Sequence, residues 1–252
     1  MSSIENAFCI LEVVTENQDS GLTFQNILNR VNLPKSSTHR TLKELVRLNC
    51  LTYDEQTKRY KGSLKLSRLG AAVVQNIDLR VLTLPFIHQM HKTTGHNCHM
   101  GILDGLSGVY IHKIESKGTG IRLYSEVGKS FPLHCTGIGK AILAFMPKSE
   151  VSKILSGKLL AFTDKTIVDP DKLTIELEEI RKRGYALDRE EITRGLMCVA
   201  APVFNHRDQV IAAVSNTFPT VMESEKGIDK EREAVLHCAN QINAILAESG
   251  LQ

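Results

Sequence analysis

The sequence predicts an α+β protein with an N-terminal winged helix-turn-helix, a linker helix and a C-terminal antiparallel sheet flanked by helices. In the first fifty residues, apolar residues recur with the spacing of an α-helix, and a short pair of extended segments follows. Later apolar strands come in pairs around short turns, with helical segments appended to the pairs. We expect the winged helix-turn-helix at 1–62, the linker at 63–79 and the C-terminal domain at 80–252.

Three helices are expected before residue 50. Apolar residues at helical spacing mark the first at 4–14 and the second at 24–31, for which Thr23 is the expected N-cap. The break at 32–34 is short, and a third helix follows at 35–49. Helices joined by so short a break are typical of a helix-turn-helix.

A hairpin and a linker helix follow. Residues 51–53 and 59–61 are extended in pattern and flank the turn-like segment 54–58, which would form the wing. Residues 63–77 return to helical spacing, and the small residues at 70–72 allow close packing. We therefore expect a linker helix that also contributes to dimerisation.

The C-terminal domain combines hairpins and helices. Asp104-Gly105 and the segment 205–209 are turn signals between apolar runs. These signals predict paired strands at 99–103 with 109–116, and at 197–204 with 210–218. Helices are expected at 78–95, 138–145, 171–183 and 224–247.

The bulk composition excludes several classes of protein. Of the 252 residues, 42% are hydrophobic and 23% charged, which is enough apolar sequence for packed domains. The N-terminus has no basic segment or apolar run like a signal peptide, and no stretch reaches the ~20 apolar residues of a membrane-spanning helix. The six cysteines form no CxxC pair, which argues against a disulfide framework. We expect a cytoplasmic protein.

Positive charge is concentrated in one segment. The net charge is only +3, but Arg30 to Arg80 carries 11 Lys or Arg and 4 Asp or Glu. Residues 81–252 carry 20 of each sign. The basic excess coincides with the predicted third helix and hairpin, as the electrostatic footprint of a nucleic-acid-binding domain would.

The third helix begins with more hydroxyls than a helix cap requires. Because its apolar residues take one face, its polar side chains are left to contact DNA, and Arg40 is long enough to bond a guanine edge or a phosphate. The predicted hairpin would reach the DNA backbone with Lys58 and Arg59. The other predicted DNA-binding residues are Thr23, Lys35, Ser36, Ser37, Thr38, His39, Lys43 and Arg47. The alternative is an ordinary amphipathic surface helix.

These segments resemble the IclR-type bacterial transcription regulators over nearly the whole length. In the N-terminal part the resemblance rests on KSSTHRTLKEL and LNCLTYDEQTKRYKGSLKLSRLG. In the C-terminal part it rests on GVYIHKIES, VGKSFPLHCTGIGKAILAF and GYALDREEITRGLMCVAAPVFNHRDQVIAAVS. Within the family, GVYIHKI and PLHCTGIGK are most similar to regulators of sugar-acid and keto-acid catabolism.

The resemblance implies a GAF-like C-terminal domain that binds a small carboxylate effector, without a cofactor. It also implies a homodimer, or a dimer of dimers, on a pseudo-palindromic double-stranded DNA operator. Thr217 stands where the family often has Ser, and it keeps the hydroxyl. The positions that match the family's ligand-facing residues are Gly137, Ile138, Asp188, Cys198, Ser215 and Thr217.

The same positions make physical sense as a pocket. Backbone N–H groups at the glycine-containing turn before the helix at 138–145 could hold a carboxylate. Ser215 and Thr217 are two apart on a predicted strand and face the same side, and Asp188 could accept a hydrogen bond from a ligand hydroxyl. The alternatives are a tight turn for the glycines and a polar strand face for the two hydroxyls.

Other constellations raise the question of an enzyme or a metal site. His88, His91, His96 and His99 with Cys98 lack regular zinc spacing, and we interpret them as surface and boundary residues. His134 and Cys135, as strand neighbours, would point to opposite faces and could not form a catalytic pair. Glu190 and Glu191 are expected in a solvated turn that caps a helix or contacts Arg194, and TGIGKA is not a Walker A loop.

We therefore expect a DNA-binding regulator, most simply a repressor, whose operator affinity a small carboxylate controls by shifting populations. Two alternatives stay open at this point. One is a small-molecule hydrolase or transferase that acts through the C-terminal domain. The other is a module that uses its winged helix to contact proteins.

Overall fold

The computed structural model describes residues 2–75, 78–116, 125–222 and 225–249. The chain divides into two compact units, Met1–Asn76 and Ile77–Gln252. Residues 76 and 77 of the predicted linker, and residue 224 of the predicted last helix, lie outside the described residues. The α+β class is confirmed, whereas the three-part division of the chain stays a prediction. No helix in the described ranges is long and apolar enough to span a membrane.

The first unit is a winged helix-turn-helix. Its three-stranded sheet has the order β1-β3-β2, and both neighbouring pairs are antiparallel. The first helix begins with a capping box between Ser2 and Glu5. The elements are α1 (Ser3–Thr15), β1 (Leu22–Thr23), α2 (Phe24–Leu28), α3 (Lys35–Arg47), β2 (Leu51–Asp54), β3 (Arg59–Gly62) and α4 (Leu64–Gln75).

A small core positions the third helix of this unit. Leu42 and Leu45 of α3 are buried against apolar residues of α1 and α2. Helix α3 ends two residues before the predicted Asn49, whose φ of 55° lies in the left-handed region that ends many helices. The two-residue strand β1 is too short to have been predicted from alternation.

The second unit is a six-stranded antiparallel sheet with helices on both faces. The strand order is β6-β5-β4-β9-β8-β7, so the two predicted hairpins join through β4 and β9 at the centre. Its strands are β4 (Asn97–Asp104), β5 (Ser107–Ile114), β6 (Ser130–Phe131), β7 (Ala186–Arg189), β8 (Leu196–Phe204) and β9 (Val210–Pro219). Its helices are α5 (Asp78–Thr94), α6 (Gly137–Phe145), α7 (Lys148–Leu155), α8 (Pro170–Arg183) and α9 (Glu225–Ser249).

The four predicted helices and two predicted hairpins of this unit are present with ends shifted by a few residues. Helix α7 and strands β6 and β7 were not predicted from the sequence. Strands β6 and β7 are edge strands of two and four residues, which is too short for a reliable alternating pattern.

The two faces of this sheet bury separate cores. One face packs against α5 and α9 around residues such as Met100, Val214 and Ile242. The other packs against α6 and α8 around residues such as Ile142 and Leu177. Side chains alternate between the two faces along a strand. On the face covered by α6, polar side chains stand beside the apolar core and line a cavity.

Candidate DNA-binding and ligand-binding sites

Helix α3 exposes the polar face that the sequence predicts. Its core side contributes Leu42 and Leu45, which are 1% and 5% exposed. Ser37, at the margin of the polar face, is half-buried. The exposed residues are Lys35, Ser36, His39, Arg40, Lys43 and Arg47.

None of the three hydroxyls at the start of α3 caps the helix. Pro34 is the N-cap and offers no side-chain hydrogen bond. The first N–H groups of α3 therefore remain available at the positive end of the helix dipole, where a phosphate would be stabilised.

Thr38 is a correction. Its side chain is fully buried, and its hydroxyl donates to the carbonyl of Pro34 at 3.1 Å. The predicted DNA contact is therefore wrong for Thr38, because position 38 falls on the core side of the helix.

The start of α2 lies beside the start of α3. Thr23 is the predicted N-cap, with its hydroxyl accepting the Asn26 N–H at 3.3 Å, so any contact of Thr23 with DNA stays a prediction. The Phe24 ring meets the His39 ring edge-on at 6.0 Å between centroids. Together with Lys35 and Ser36 these rings line a shallow recess at the edge of the exposed polar face of α3.

The two cationic side chains predicted on the wing have different environments. Lys58 is exposed to solvent, whereas Arg59 is hydrogen-bonded within the protein. The Lys58 side chain is 64% exposed and pairs with Glu55 at 3.0 Å. Arg59 is different, because its Nη1 donates to the carbonyls of Ser20 and Gly21 at 3.3 and 2.8 Å. This nitrogen of Arg59 ties the wing to the turn before β1 and is not available for the predicted DNA contact.

Replacing Lys58 with alanine should weaken the binding of all DNA sequences alike, because a wing lysine contacts phosphate and not bases. The salt dependence of binding, plotted as log K against log[salt], should become shallower by about 0.9 for one lost phosphate contact. Lys182→Ala is the matched control, since Lys182 is 70% exposed and pairs with Glu179 in the same i,i+3 arrangement. A loss confined to one DNA sequence would contradict the backbone role.

In the second unit, one cavity brings together all six residues of the predicted ligand site. The floor of the cavity comes from the sheet and its roof from the start of α6. The other eight residues that line the cavity were not predicted from the sequence. The lining residues are Gly137, Ile138, Asp188, Cys198, Ser215 and Thr217, with His99, Tyr110, Ser125, Thr136, Ile192, Thr193, Leu196 and Met197.

The N-terminus of α6 supplies backbone donors to this cavity. The Thr136 hydroxyl caps the helix by accepting the Gly139 N–H at 3.0 Å. The N–H groups of Gly137 and Ile138 precede the first helical hydrogen bond and have no acceptor within the helix. A side chain at position 137 would meet Cys198, since a Cβ there would lie 2.9 Å from its Sγ. Glycine is therefore required for α6 to approach the sheet this closely.

Strand register brings the polar residues of the floor together. Asp188 on β7 pairs with Cys198 on β8, and Cys198 pairs in turn with Thr217 on β9. Ser215, two residues away, faces the same side. Burial raises the pKa of the Cys198 thiol to about 12, so this group is a neutral, weak hydrogen-bond partner and not a nucleophile.

Asp188 belongs to a buried charge cluster. Burial raises the pKa of its carboxyl to about 7, with a further rise from nearby Glu191 and an opposing effect of Lys140. Its Oδ1 accepts the Glu191 N–H at 2.7 Å. Lys140, which is 1% exposed, forms an ion pair with Glu191 and lies 3.8 Å from Glu176.

This arrangement corrects the expectation of a solvated turn for Glu191. Its side chain is buried, and its Oε2 has no hydrogen-bond partner. Glu190 does lie at the surface side of the turn and pairs with Lys165, while the ion pair of Arg194 is with Asp164. The sequence signal that was missed is Lys140, a lysine at a core-facing position of an apolar helix.

The histidines do not form one cluster. His91 Nδ1 lies 2.8 Å from the carbonyl of His96, and His96 pairs with Glu231 at 3.3 Å. His88 is exposed, whereas His99 is buried in the cavity, which corrects its expected boundary position. Within the ranges that the structure describes, no three His, Cys, Asp or Glu side chains could hold one metal ion.

Cys135 and His134 lie in the turn before α6, and not on a strand as expected. His134 Nε2 lies 2.9 Å from the carbonyl of Leu160, while burial raises the pKa of the Cys135 thiol. This geometry gives no activated nucleophile.

A winged helix with an exposed basic face, and a second unit whose cavity is lined by backbone donors, hydroxyls and a carboxyl, define the class of ligand-responsive DNA-binding proteins. Comparison with known proteins supports this class. The model of the IclR helix-turn-helix domain matches residues 3–55, and that of the IclR C-terminal domain of bacterial transcriptional regulators matches residues 71–244. The chain belongs to the IclR family of transcriptional regulators.

Individual relatives extend over most of the chain. The transcriptional regulator KdgR of Escherichia coli K12 is 37% identical over 95% of this chain and 90% of its own length. The transcriptional repressor AllR of the same strain is 31% identical over 97% and 90%. A crystal structure of the Thermotoga maritima IclR has a TM-score of 0.74 at 31% identity, covering 97% of this chain and 98% of that one.

These relatives are regulators, and the two family models describe regulator domains. The chain is therefore a DNA-binding transcriptional regulator with an effector-binding C-terminal domain, and the predicted absence of enzymatic activity is confirmed by the family. The hydrolase or transferase alternative finds no support. The relatives named as repressors support repression controlled by a small metabolite.

Proposed function

We propose that the protein binds a pseudo-palindromic operator as a dimer, or a dimer of dimers, in the cytoplasm and releases it when a small carboxylate enters the cavity. The effector class is a sugar acid or a keto acid. The effector binds one form of the protein more tightly than the other, and this difference shifts the population toward the form with lower operator affinity.

The observation that carries this proposal is the composition of the cavity. It combines backbone donors at the start of α6 with the hydroxyls of Ser215 and Thr217 and the carboxyl of Asp188. The donors at the helix N-terminus favour an anion, and the hydroxyls and carboxyl favour a ligand that also has hydroxyl or carbonyl oxygens. A small oxygen-rich carboxylate meets both requirements.

Exposed apolar side chains in the first unit support the dimer. Ile4 and Phe8 are one turn apart on α1 and are 68% and 61% exposed. Leu64 and Leu69 on α4 are 83% and 56% exposed. Burying such side chains against a second copy would be favourable at about 25 cal/mol per Å² of apolar surface. A dimer would also place two winged helices on the half-sites of a palindrome.

The direct experiment is a thermal-shift screen of keto and sugar acids, followed by operator-release titrations with the acids that stabilise the protein. In Asp188→Ala, we expect operator binding without effector to be unchanged and the thermal shift and release to be lost. Asp104→Ala, at the exposed end of β4 in the same domain, is the matched control. An unchanged effector response in Asp188→Ala would remove Asp188 from the site.

Effector binding should also depend on pH. Asp188 is faced by Glu191, Lys140, Cys135 and Cys198, and burial raises the pKa of its carboxyl to about 7. An anion in the same cavity disfavours the ionised form, so binding should tighten as the pH falls through 7 and the carboxyl takes up its proton.

Calorimetric titration between pH 6 and 9 tests this pH dependence. Asp188→Asn, which is neutral throughout, should bind with a flattened pH profile. A wild-type affinity that is constant over this range, or that weakens as the pH falls, would contradict the assignment.

A further inference from the structure

We propose that Phe24 and His39 form a recess that takes the C5-methyl group of one thymine in each operator half-site. Phe24 begins α2, outside α3, and was not among the sequence-predicted DNA-binding residues. The inference rests on operator binding by the polar face of α3 and adds a residue that determines which base is preferred. It commits the recess to one partner, a thymine on the major-groove edge of double-stranded DNA.

The recess lies between the starts of two helices. Phe24 is the first residue of α2, and Lys35 and Ser36 are the first two residues of α3. His39 lies one turn after Lys35 on the same face of α3, because the two are four positions apart. The Phe24 and His39 rings meet edge-on, with their centroids 6.0 Å apart and their planes at 69°. This contact gives the recess two ring walls that come from different helices.

The Phe24 side chain is only half-buried. Part of it packs against the small core of the first unit, and the remainder lines the recess. The other three lining residues, Lys35, Ser36 and His39, are exposed. The recess therefore holds apolar surface among polar side chains, and covering this surface when DNA binds would favour the complex.

The recess is continuous with the surface that faces DNA. In helix-turn-helix proteins the second helix of the motif enters the major groove, and its N-terminal residues contact base edges. In this protein Lys35, Ser36 and His39 belong to that part of α3, and all three line the recess. The Lys35 ammonium group adds a positive charge that favours approach of the phosphate backbone. The recess should therefore face a base edge when α3 enters the groove.

The chemistry of the recess favours a methyl group over a polar base edge. Among the four bases only thymine presents a methyl group in the major groove, and the other groups on that edge are hydrogen-bond donors and acceptors. A polar base group placed against the Phe24 ring would lose hydrogen bonds to water without replacement. A methyl group has none to lose, and phenylalanine is one of the side chains that contact the thymine methyl in protein–DNA complexes.

The test is a deoxyuridine scan of an operator duplex. The duplex is one that the full-length protein selects from a random-sequence DNA library. Each thymine is then replaced in turn by uracil, which removes the methyl group and keeps every hydrogen-bonding group of the base. We expect one thymine in each half-site at which this replacement weakens binding by about three- to fivefold, the loss for one buried methyl group.

The variant Phe24→Ala connects this methyl effect to the recess. It should bind the unmodified duplex less tightly than the wild type does, and it should bind the unmodified and uracil-containing duplexes equally, so that the two changes are not additive. His39→Ala changes an exposed side chain and should also reduce the methyl effect, which keeps the test decisive if Phe24→Ala folds poorly. Leu48→Ala is the control, because Leu48 is an exposed apolar residue at the other end of α3 and its removal should leave the methyl effect at its wild-type size.

Two results would overturn the inference. One is a scan in which no uracil replacement weakens binding. The other is a methyl effect that persists in full in a cooperatively melting Phe24→Ala or, if that variant does not fold, in His39→Ala. If Arg40→Ala still loses operator affinity in these cases, operator binding by α3 stands and only this inference fails. If the protein selects no duplex from the library, operator binding fails as well.

Discussion

Replacing Arg40 with alanine should reduce operator affinity by about 1–3 kcal/mol, or roughly 5- to 150-fold, if its guanidinium reads a base edge. Arg40 is exposed on the polar face of α3, one turn beyond the free N–H groups at the helix start. That position is where a recognition helix contacts base edges in a major groove. The loss should be large on the operator and small on unrelated DNA, since base contacts carry the sequence information.

Gel-shift titrations at fixed salt, on the operator and on a scrambled duplex, measure this difference. Arg207→Ala is the control, because it removes one exposed arginine from the second unit and changes the net charge equally. Equal losses on both duplexes would reassign Arg40 to a phosphate contact, and no loss on either would exclude it from the interface.

Replacing Lys140 with methionine should destabilise the C-terminal unit by about 3–5 kcal/mol, because it leaves buried carboxyl groups without their cation. Lys140 is 1% exposed and forms an ion pair with Glu191 beside Asp188. For a unit of this size, the loss corresponds to a fall in melting temperature of roughly 6–20 °C.

The pH dependence of this loss has a definite sign. Burial already raises the pKa of both carboxyls, and removing Lys140 should raise it further. Groups with a raised folded-state pKa bind more protons in the folded state, so the stability of the variant should fall as the pH rises from about 4 to above 7. Lys148→Met, at an exposed helix start, is the control. If Lys140→Met melted at the same temperature as the wild type at pH 8, the stabilising role of the Lys140–Glu191 ion pair would be contradicted.

The sequence was sufficient to predict the long, regular elements of the fold. The polar face of α3 and the two hairpins follow from residue periodicity and turn signals, which act over neighbouring residues. Short edge strands such as β6 and β7 were not predictable in this way, because their conformation depends on pairing with distant strands.

The ligand site was also predictable only in part, because some of its residues are brought together by contacts between segments far apart in the sequence. The family resemblance supplied Asp188, Cys198 and the other four predicted residues, and the structure places them in one cavity. His99 on β4 and Ser125 in a later loop lie in contact, with 2.7 Å between the Ser125 hydroxyl and His99 Nε2, and no spacing in the sequence records this tertiary contact. Thr38 illustrates the opposite error, since its hydroxyl satisfies a local backbone carbonyl instead of facing solvent.

We infer that the polar face of α3 binds the operator and that the cavity under α6 controls this binding. The most direct measurement is operator affinity of the full-length protein with and without the acid that gives the largest thermal shift, for the wild type, Arg40→Ala and Asp188→Ala. We expect Arg40→Ala to bind the operator poorly but still to gain thermal stability from the acid, and Asp188→Ala to bind the operator normally without responding to the acid. A common loss of both properties in either variant would contradict the separation of the two sites.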